Sequence, residues 1–302
     1  MSWWAGLEDI IETDVPLADC TWYRLGGPAR WFCRPRDQAE LCRLLRAVTQ
    51  AGVEWRVLGA GANVIVRDEG FDGAVIRLAG PEFERVEIDP PPEDEQPPTA
   101  NVHAGGAADL LRLVLATLKA GLVGLEALAG IPGTVGGAVR MNAGGRYGQI
   151  GDHVRSVRLV RPDGRVEQLG RDALHFEYRR CRLGQAIVTG VDLYVPPGDA
   201  REALNRFHRI WREKTANQPP LGARSAGCIF KNPPRESAGR LLDRCGLKGT
   251  TLGGAQISTR HANFIVANQN ARAADVLALM ELARRRVRET TGIELEPEVE
   301  VW

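Results

Sequence analysis

Gly130-Ile131-Pro132-Gly133-Thr134-Val135-Gly136-Gly137-Ala138, followed after three residues by Asn142-Ala143-Gly144-Gly145, is the stretch on which the reading turns. It lacks the Lys-Ser/Thr ending of a P-loop, which argues against an ATPase. Another glycine loop, the first in chain order, lies about 70 residues earlier, Leu58-Gly59-Ala60-Gly61-Ala62-Asn63-Val64-Ile65-Val66. It imitates G-x-G-x-x-G but carries Val64 at the third glycine position, and a strand follows it where a Rossmann site needs a helix. Glycines in such loops let backbone N–H groups approach a phosphate with no Cβ in the way. Taken alone, the first loop reads equally well as a structural turn. Two loops, each read as lying beside a strand, point to an extended diphosphate ligand held from two sides, such as a dinucleotide flavin.

Around these loops the chain has globular composition. Of 302 residues, 44% are hydrophobic and 25% charged, and the net charge of +1 gives no reason to expect a polyanion partner. Lysine occurs only at 119, 214, 231 and 248, and the many arginines alternate with acids instead of forming the one-sided stripe of a nucleic-acid binder. No apolar run reaches the roughly 18 residues of a membrane span. Met1-Ser2-Trp3-Trp4 lacks the basic segment and apolar core of a secretion signal, so a cytoplasmic location is expected. The six cysteines, at 20, 33, 42, 181, 228 and 245, show no C-x-x-C pair and no clustering with histidine, so no metal site is expected.

Four helices are legible. Asp37 and Glu40 open one that carries Leu41, Leu44, Leu45 and Val48 and stops at Gly52. Leu110, Leu111, Val114, Leu115 and Leu118 stripe a second, closed by Gly121. Asp199 and Glu202 start a third with Leu204, Phe207, Ile210 and Trp211. The fourth runs from about Ala273 to Thr291, with Val276, Leu277, Met280, Ala283 and Val287 on one face and Gly292 behind. Short β-rich runs lie between them: 57–58, 64–66, 74–76, 156–160, 187–195 and 264–266. The mixture lacks steady βαβ alternation, which predicts an α+β fold. The acidic proline-rich stretch 89–98 reads as a solvated hairpin loop, and Pro196-Pro197-Gly198 as a domain boundary.

The order of motifs resembles the UDP-N-acetylenolpyruvoylglucosamine reductase family over nearly the whole chain. The matching pieces are Tyr23-Arg24-Leu25-Gly26-Gly27-Pro28-Ala29, LGAGANVIV at 58–66, GLEALAGIPGTVGGAVRMNAG at 124–144, Tyr178-Arg179, SAGCIFKNP at 225–233, His261-Ala262-Asn263-Phe264, and LEPEV at 295–299. The resemblance implies a vanillyl-alcohol-oxidase/PCMH-type FAD-binding domain in two subdomains, with a smaller C-terminal substrate-binding α+β domain. The expected boundaries are 1–80 (joined by 293–302), 81–198 and 199–292. It also implies FAD, NADPH as hydride donor, and UDP-N-acetylglucosamine enolpyruvate as substrate, with no nucleic-acid, membrane or protein partner. The short spacing between Tyr178-Arg179 and SAGCIFKNP resembles the family's shorter type, which lacks a substrate-capping insertion.

By the same resemblance, FAD would be held by Gly59, Ala60, Gly61, Ala62 and Asn63 and by Ile131, Pro132, Gly133, Thr134, Gly136, Gly137, Asn142, Ala143 and Gly144. The family reaction adds hydride to the terminal vinyl carbon of an enolpyruvyl ether, so negative charge grows on the next carbon and its carboxylate. Arg179 matches the guanidinium that clamps this charge; without the resemblance it would read as a surface arginine in Arg179-Arg180-Cys181-Arg182. Glu298 matches a second stabiliser, useful if protonated. Cys228 stands where the family usually has a serine proton donor; a thiol, with a pKa near about 8.5, can also give a proton. Tyr178, Lys231 and Asn232 match substrate-binding positions. Glu177 and Cys181 replace a small residue and a serine, which bears on how the pocket packs. Two other functions compete: a flavin oxidase of the same fold, which would leave SAGCIFKNP and LEPEV without a purpose, and a flavin-binding protein that has lost its chemistry.

Overall fold

The computed structural model describes residues 2–90 and 99–302. Most of the stretch expected to form a hairpin loop, residues 91–98, lies outside the described residues. The chain divides into two compact units. One comprises residues 1–12, 31–59 and 73–212; the other comprises 13–30, 60–72 and 213–302. Helices and strands are mixed in both, as the α+β reading expects.

The first unit is built on a five-stranded antiparallel sheet in the order Val166–Gly170, Val154–Val160, Ile187–Val195, Ala100–Gly105, Val86–Asp89. Side chains alternate between its faces. Val102, Val157, Leu159, Val191 and Leu193 are buried with apolar residues of the helices Leu110–Lys119 and Val135–Arg140. The opposite face carries a polar row: Ser156, Asp192 and His103 are cross-strand neighbours. The helix Gln38–Gln50 starts where the sequence predicts. Asp37 caps it by accepting from Glu40 N–H at 2.8 Å, and Leu41, Leu44, Leu45 and Val48 are all buried.

Two predicted stripes are rotated. In Leu110–Lys119 the buried residues are Leu110, Leu113, Val114, Thr117 and Leu118, while Leu115 is 46% exposed. In Ala200–Asn217, Leu204 is 43% exposed and Ala203 takes the inner position beside Phe207 and Ile210. The second glycine loop departs from expectation too. It leads from a 3₁₀ turn, Leu125–Leu128, into the helix Val135–Arg140, not along a strand.

The second unit contains a three-stranded antiparallel sheet, Thr251–Leu252, Ala255–Ile257 and Ile265–Ala267, and the helices Ala238–Arg244 and Ala273–Thr291. Val64–Ile65 pairs in parallel with Glu300–Val301. Tyr23 is fully buried in this core and donates its hydroxyl to Ile265 C=O at 2.9 Å; burial pushes its phenol pKa upward. Asp68, just past the first glycine loop, caps the helix Ala273–Thr291 from a distance by accepting from Ala273 N–H (2.9 Å) and Ala274 N–H (3.1 Å). Gly292, at φ 72°, ends that helix in the left-handed conformation.

Candidate active site

In the first unit the glycines of the loops have distinct reasons to be glycine. A Cβ on Gly136 would stand 2.8 Å from Gly106 C=O, the atom that accepts from Gly136 N–H. A Cβ on Gly59 would come within 2.8 Å of Thr134 Oγ1, so the last residue of that unit's strand-to-loop turn lies against the second loop. Gly133 has φ 147° with open space where a side chain would be. Val135 and Gly136 spend their N–H groups on Ala108 and Gly106 carbonyls. The N–H groups of Gly133 and Thr134 meet no acceptor among the described residues, and Thr134 Oγ1 accepts from Gly137 N–H at 3.3 Å. In the second unit, Gly61 (φ 68°) passes so close to Cys20 that a Cβ would fall 2.2 Å from its carbonyl. The N–H groups of Ala60, Gly61 and Ala62 are likewise without an acceptor among the described residues. Runs of unspent amides in loops cleared of side chains are the donor set a diphosphate requires, so these residues fit a dinucleotide flavin.

Arg179 sits at the turn of a two-stranded hairpin, Phe176–Glu177 with Arg180–Cys181. Its φ of 57° is uncommon for a side chain of this size. Nη1 donates to Gly144 C=O at 2.8 Å, and the guanidinium carbon lies 5.4 Å from the Tyr178 ring centroid. Asn142 is buried and ties the hairpin to the glycine loop. Its Nδ2 donates to Glu177 C=O (3.0 Å) and Gln149 Oε1 (2.9 Å), and its Oδ1 accepts from Gly151 N–H (3.2 Å). Ala143 uses both backbone groups within the protein, on Ala138 and Ile150. The two departures at this hairpin have structural accounts. Glu177 pairs with Arg182 at 2.5 Å on an exposed side, and Cys181 is packed in the core, where burial raises its thiol pKa. Glu126, a buried carboxylate in an otherwise apolar run, was not singled out in the sequence. It accepts from Arg206 Nη1 at 3.1 Å, and Arg206 Nη2 donates to Tyr147 C=O at 3.0 Å.

The second unit brings Cys228 and Glu298 onto adjoining segments. Glu298 N–H donates to Ile229 C=O at 2.8 Å, and Lys231 N–H donates to Glu296 C=O at 2.9 Å. Asn63 Nδ2 donates to Glu298 C=O at 3.2 Å, and Glu300 N–H donates to Asn63 C=O at 3.0 Å. Cys228, Glu298 and Lys231 are all half-buried. The Lys231 ammonium pairs with Glu296, and Asn232 Oδ1 accepts from Ala238 N–H at 2.9 Å at the start of the helix Ala238–Arg244. Thus Arg179 and Tyr178 belong to the first unit, and Cys228, Lys231, Asn232 and Glu298 to the second.

Two domain families match this chain: residues 29–170 match an FAD binding domain, and residues 218–302 match the C-terminal domain of UDP-N-acetylenolpyruvoylglucosamine reductase. The combination defines an FAD-dependent oxidoreductase. Reductases of that name from Heliobacterium modesticaldum and Anaeromyxobacter dehalogenans strain 2CP-1 are 41% and 46% identical, each over 289 residues. These cover 95% of this chain and 88% and 84% of the relatives. The crystal structure of the Thermus caldophilus UDP-N-acetylenolpyruvylglucosamine reductase superposes with a TM-score of 0.81 at 41% identity, covering 97% of this chain and 98% of that one. The chain belongs to the UDP-N-acetylenolpyruvoylglucosamine reductase family.

Proposed function

We propose that this enzyme uses NADPH and FAD to reduce the enolpyruvyl ether of UDP-N-acetylglucosamine to UDP-N-acetylmuramate, a cytoplasmic step in peptidoglycan precursor synthesis. The observation that carries the reading is the joint strip of Cys228 and Glu298, fixed by the 2.8 Å bond from Glu298 N–H to Ile229 C=O. It supports the reading because Cys228 and Glu298 then lie on neighbouring segments of one unit. We assign flavin binding to residues 1–198 with 293–302, and substrate binding mainly to 199–292.

When bound, FAD would supply the hydride, drawn from NADPH, that the terminal vinyl carbon requires. The unspent amides of Ala60, Gly61 and Ala62 and of Gly133 and Thr134 would serve its diphosphate, while Gly59, Asn63, Ile131, Pro132, Gly136, Gly137, Asn142, Ala143 and Gly144 would shape the loops that carry them. Arg179, bonded to Gly144 C=O, would meet the substrate carboxylate with its guanidinium and stay charged as charge grows there. Glu298 is assigned as the second stabiliser of the developing charge, a role that calls for the protonated carboxyl. Cys228 Sγ–H gives its proton to the carbon next to the carboxylate and regains one from solvent. Tyr178 lines the pocket, while Lys231 and Asn232 contact the nucleotide diphosphate.

The test is an absorbance spectrum of the purified protein in three states: as isolated, after anaerobic NADPH, and after UDP-N-acetylglucosamine enolpyruvate. The expected sequence is a yellow protein, bleached by NADPH and recoloured by the enolpyruvyl substrate. A protein that NADPH leaves yellow, or that the sugar nucleotide fails to recolour while oxygen does so rapidly, overturns this reading.

A further inference from the structure

Asn263 is 3% exposed, and every polar atom of its side-chain amide is engaged with a single residue. Oδ1 accepts from Phe230 N–H at 3.0 Å, and Nδ2 donates to Phe230 C=O at 2.8 Å. Its own C=O accepts from Ile229 N–H at 2.9 Å. A carboxamide carries the same donor and acceptor as a peptide group, so this side chain takes the place of a neighbouring strand along Phe230. The other edge of the same segment is held by the C-terminal stretch, through Ile229 C=O with Glu298 N–H and Lys231 N–H with Glu296 C=O.

We propose that Asn263 is a positioning residue for proton delivery: it grips Ile229 and Phe230 from the edge opposite Glu298 and so fixes the course of the chain at Cys228. This rests on the reading of Cys228 as the proton donor. On the N-terminal side of Cys228, Gly227 stands at φ 74° with open space where a side chain would be, and Ala226 before it is bonded through its backbone to the buried Tyr23. Asn263 acts on the chain at Cys228 from the Ile229 side. Asn263 is itself anchored, because its N–H donates to His261 Nδ1 at 3.2 Å. Burial lowers the His261 pKa, which favours the neutral ring and keeps Nδ1 able to accept. Asn263→Asp preserves shape and the acceptor but replaces the Nδ2–H donor by an oxygen facing Phe230 C=O.

The experiment uses the FAD-loaded full chain in four forms: parent, Asn263→Asp, Cys228→Ala and the double variant. Stopped-flow absorbance follows flavin reduction by NADPH and, separately, flavin reoxidation by UDP-N-acetylglucosamine enolpyruvate. Asn263→Asp is expected to slow reoxidation roughly 10- to 100-fold, the scale of a misplaced reacting group, and to leave reduction by NADPH within about twofold. It should slow reoxidation no further in the Cys228→Ala background, since both act through one group. In the apoprotein, peptide mass spectrometry should show a changed rate of Cys228 alkylation by iodoacetamide. With Cys228→Ala impaired, the proposal is overturned by parent-like reoxidation in Asn263→Asp, by equal slowing of both half-reactions, by fully additive slowing in the double variant, or by an unchanged alkylation rate. Parent-like reoxidation by Cys228→Ala overturns the donor reading instead. If Asn263→Asp does not fold, Asn263→Gln, which keeps both amide functions one methylene farther out, enters the same cycle with the same outcomes.

Discussion

Arg179 Nη1 donates to the backbone carbonyl of Gly144 at 2.8 Å, so the guanidinium that would clamp the substrate is held by the glycine loop that would cradle the cofactor. That bond orients the planar fork of the guanidinium. Arg179→Lys keeps the charge but has a single ammonium, which cannot bond Gly144 and grip a carboxylate with that geometry. Its kcat is expected to fall roughly 100-fold or more, with flavin reduction by NADPH little changed. Single-turnover measurement of the two half-reactions checks this; a lysine variant that turns over like the parent removes Arg179 from charge stabilisation.

Cys228 makes the proposed donor both competent and vulnerable. Cys228→Ser should keep substantial turnover and lose sensitivity to alkylating reagents. Cys228→Ala should lose roughly 100-fold or more in flavin reoxidation while NADPH still bleaches the protein. Equal turnover by the alanine variant and the parent would show that another group delivers the proton.

Gly59→Ala tests the contact between the loops in the first unit. The added methyl would meet Thr134 Oγ1 at 2.8 Å, and overpacking of this kind costs about 1–3 kcal/mol. FAD affinity of the apoprotein, titrated by flavin fluorescence, should weaken roughly tenfold or more. Unaltered affinity would mean that the loop can shift without loss of the cofactor.

His103 predicts a pH dependence of stability. Its Nδ1 lies 2.6 Å from Asp192 Oδ1, and its Nε2 lies 3.1 Å from Asp89 Oδ2. The bond to Asp192 raises its pKa above the ordinary histidine value, and the charge of both carboxylates adds to this. Glu87 is its cross-strand neighbour, while Glu82, Arg85 and Arg158 share the cleft beside it. Because the folded pKa is raised, the stabilisation is fully present below about pH 6.5 and is lost as pH rises through the folded pKa. Urea unfolding of the parent should show this decline, and His103→Gln should flatten it. The same slope in both proteins would assign the effect to other groups.

The glycine loops were legible in the sequence because close backbone approach restricts residue choice so narrowly. The phase of the helices was less so. Leu110–Lys119 has leucine or valine at 110, 111, 113, 114, 115 and 118, enough to draw more than one apolar face, and only tertiary packing chooses Leu113 over Leu115. Val135–Arg140 and Ala238–Arg244 span less than two full turns and display no repeat to read. The roles of Arg179, Cys228 and Glu298 came from resemblance alone; an arginine in an Arg-rich run and a glutamate in an alternating acidic tail carry no distinguishing pattern. Asn263 lay inside a motif visible in the sequence, but a buried amide that mimics a strand is defined by its partners at 229 and 230, not by its spacing.

Val64–Ile65 pairs with Glu300–Val301, and the backbone of Trp302 is bonded to Ile65 and Arg67. The second unit thus joins early stretches of the chain to its last strand. During translation, residues 13–30 and 60–72 must leave the ribosome and wait until residues 73–302 have been made, on the order of tens of seconds at usual elongation rates. Throughout that interval Tyr23 and Ile65 have no finished core to enter. The nascent polypeptide therefore depends on its earliest apolar segments avoiding wrong associations until the final strand arrives, and a premature stop only a few codons short would leave that half of the molecule unsealed.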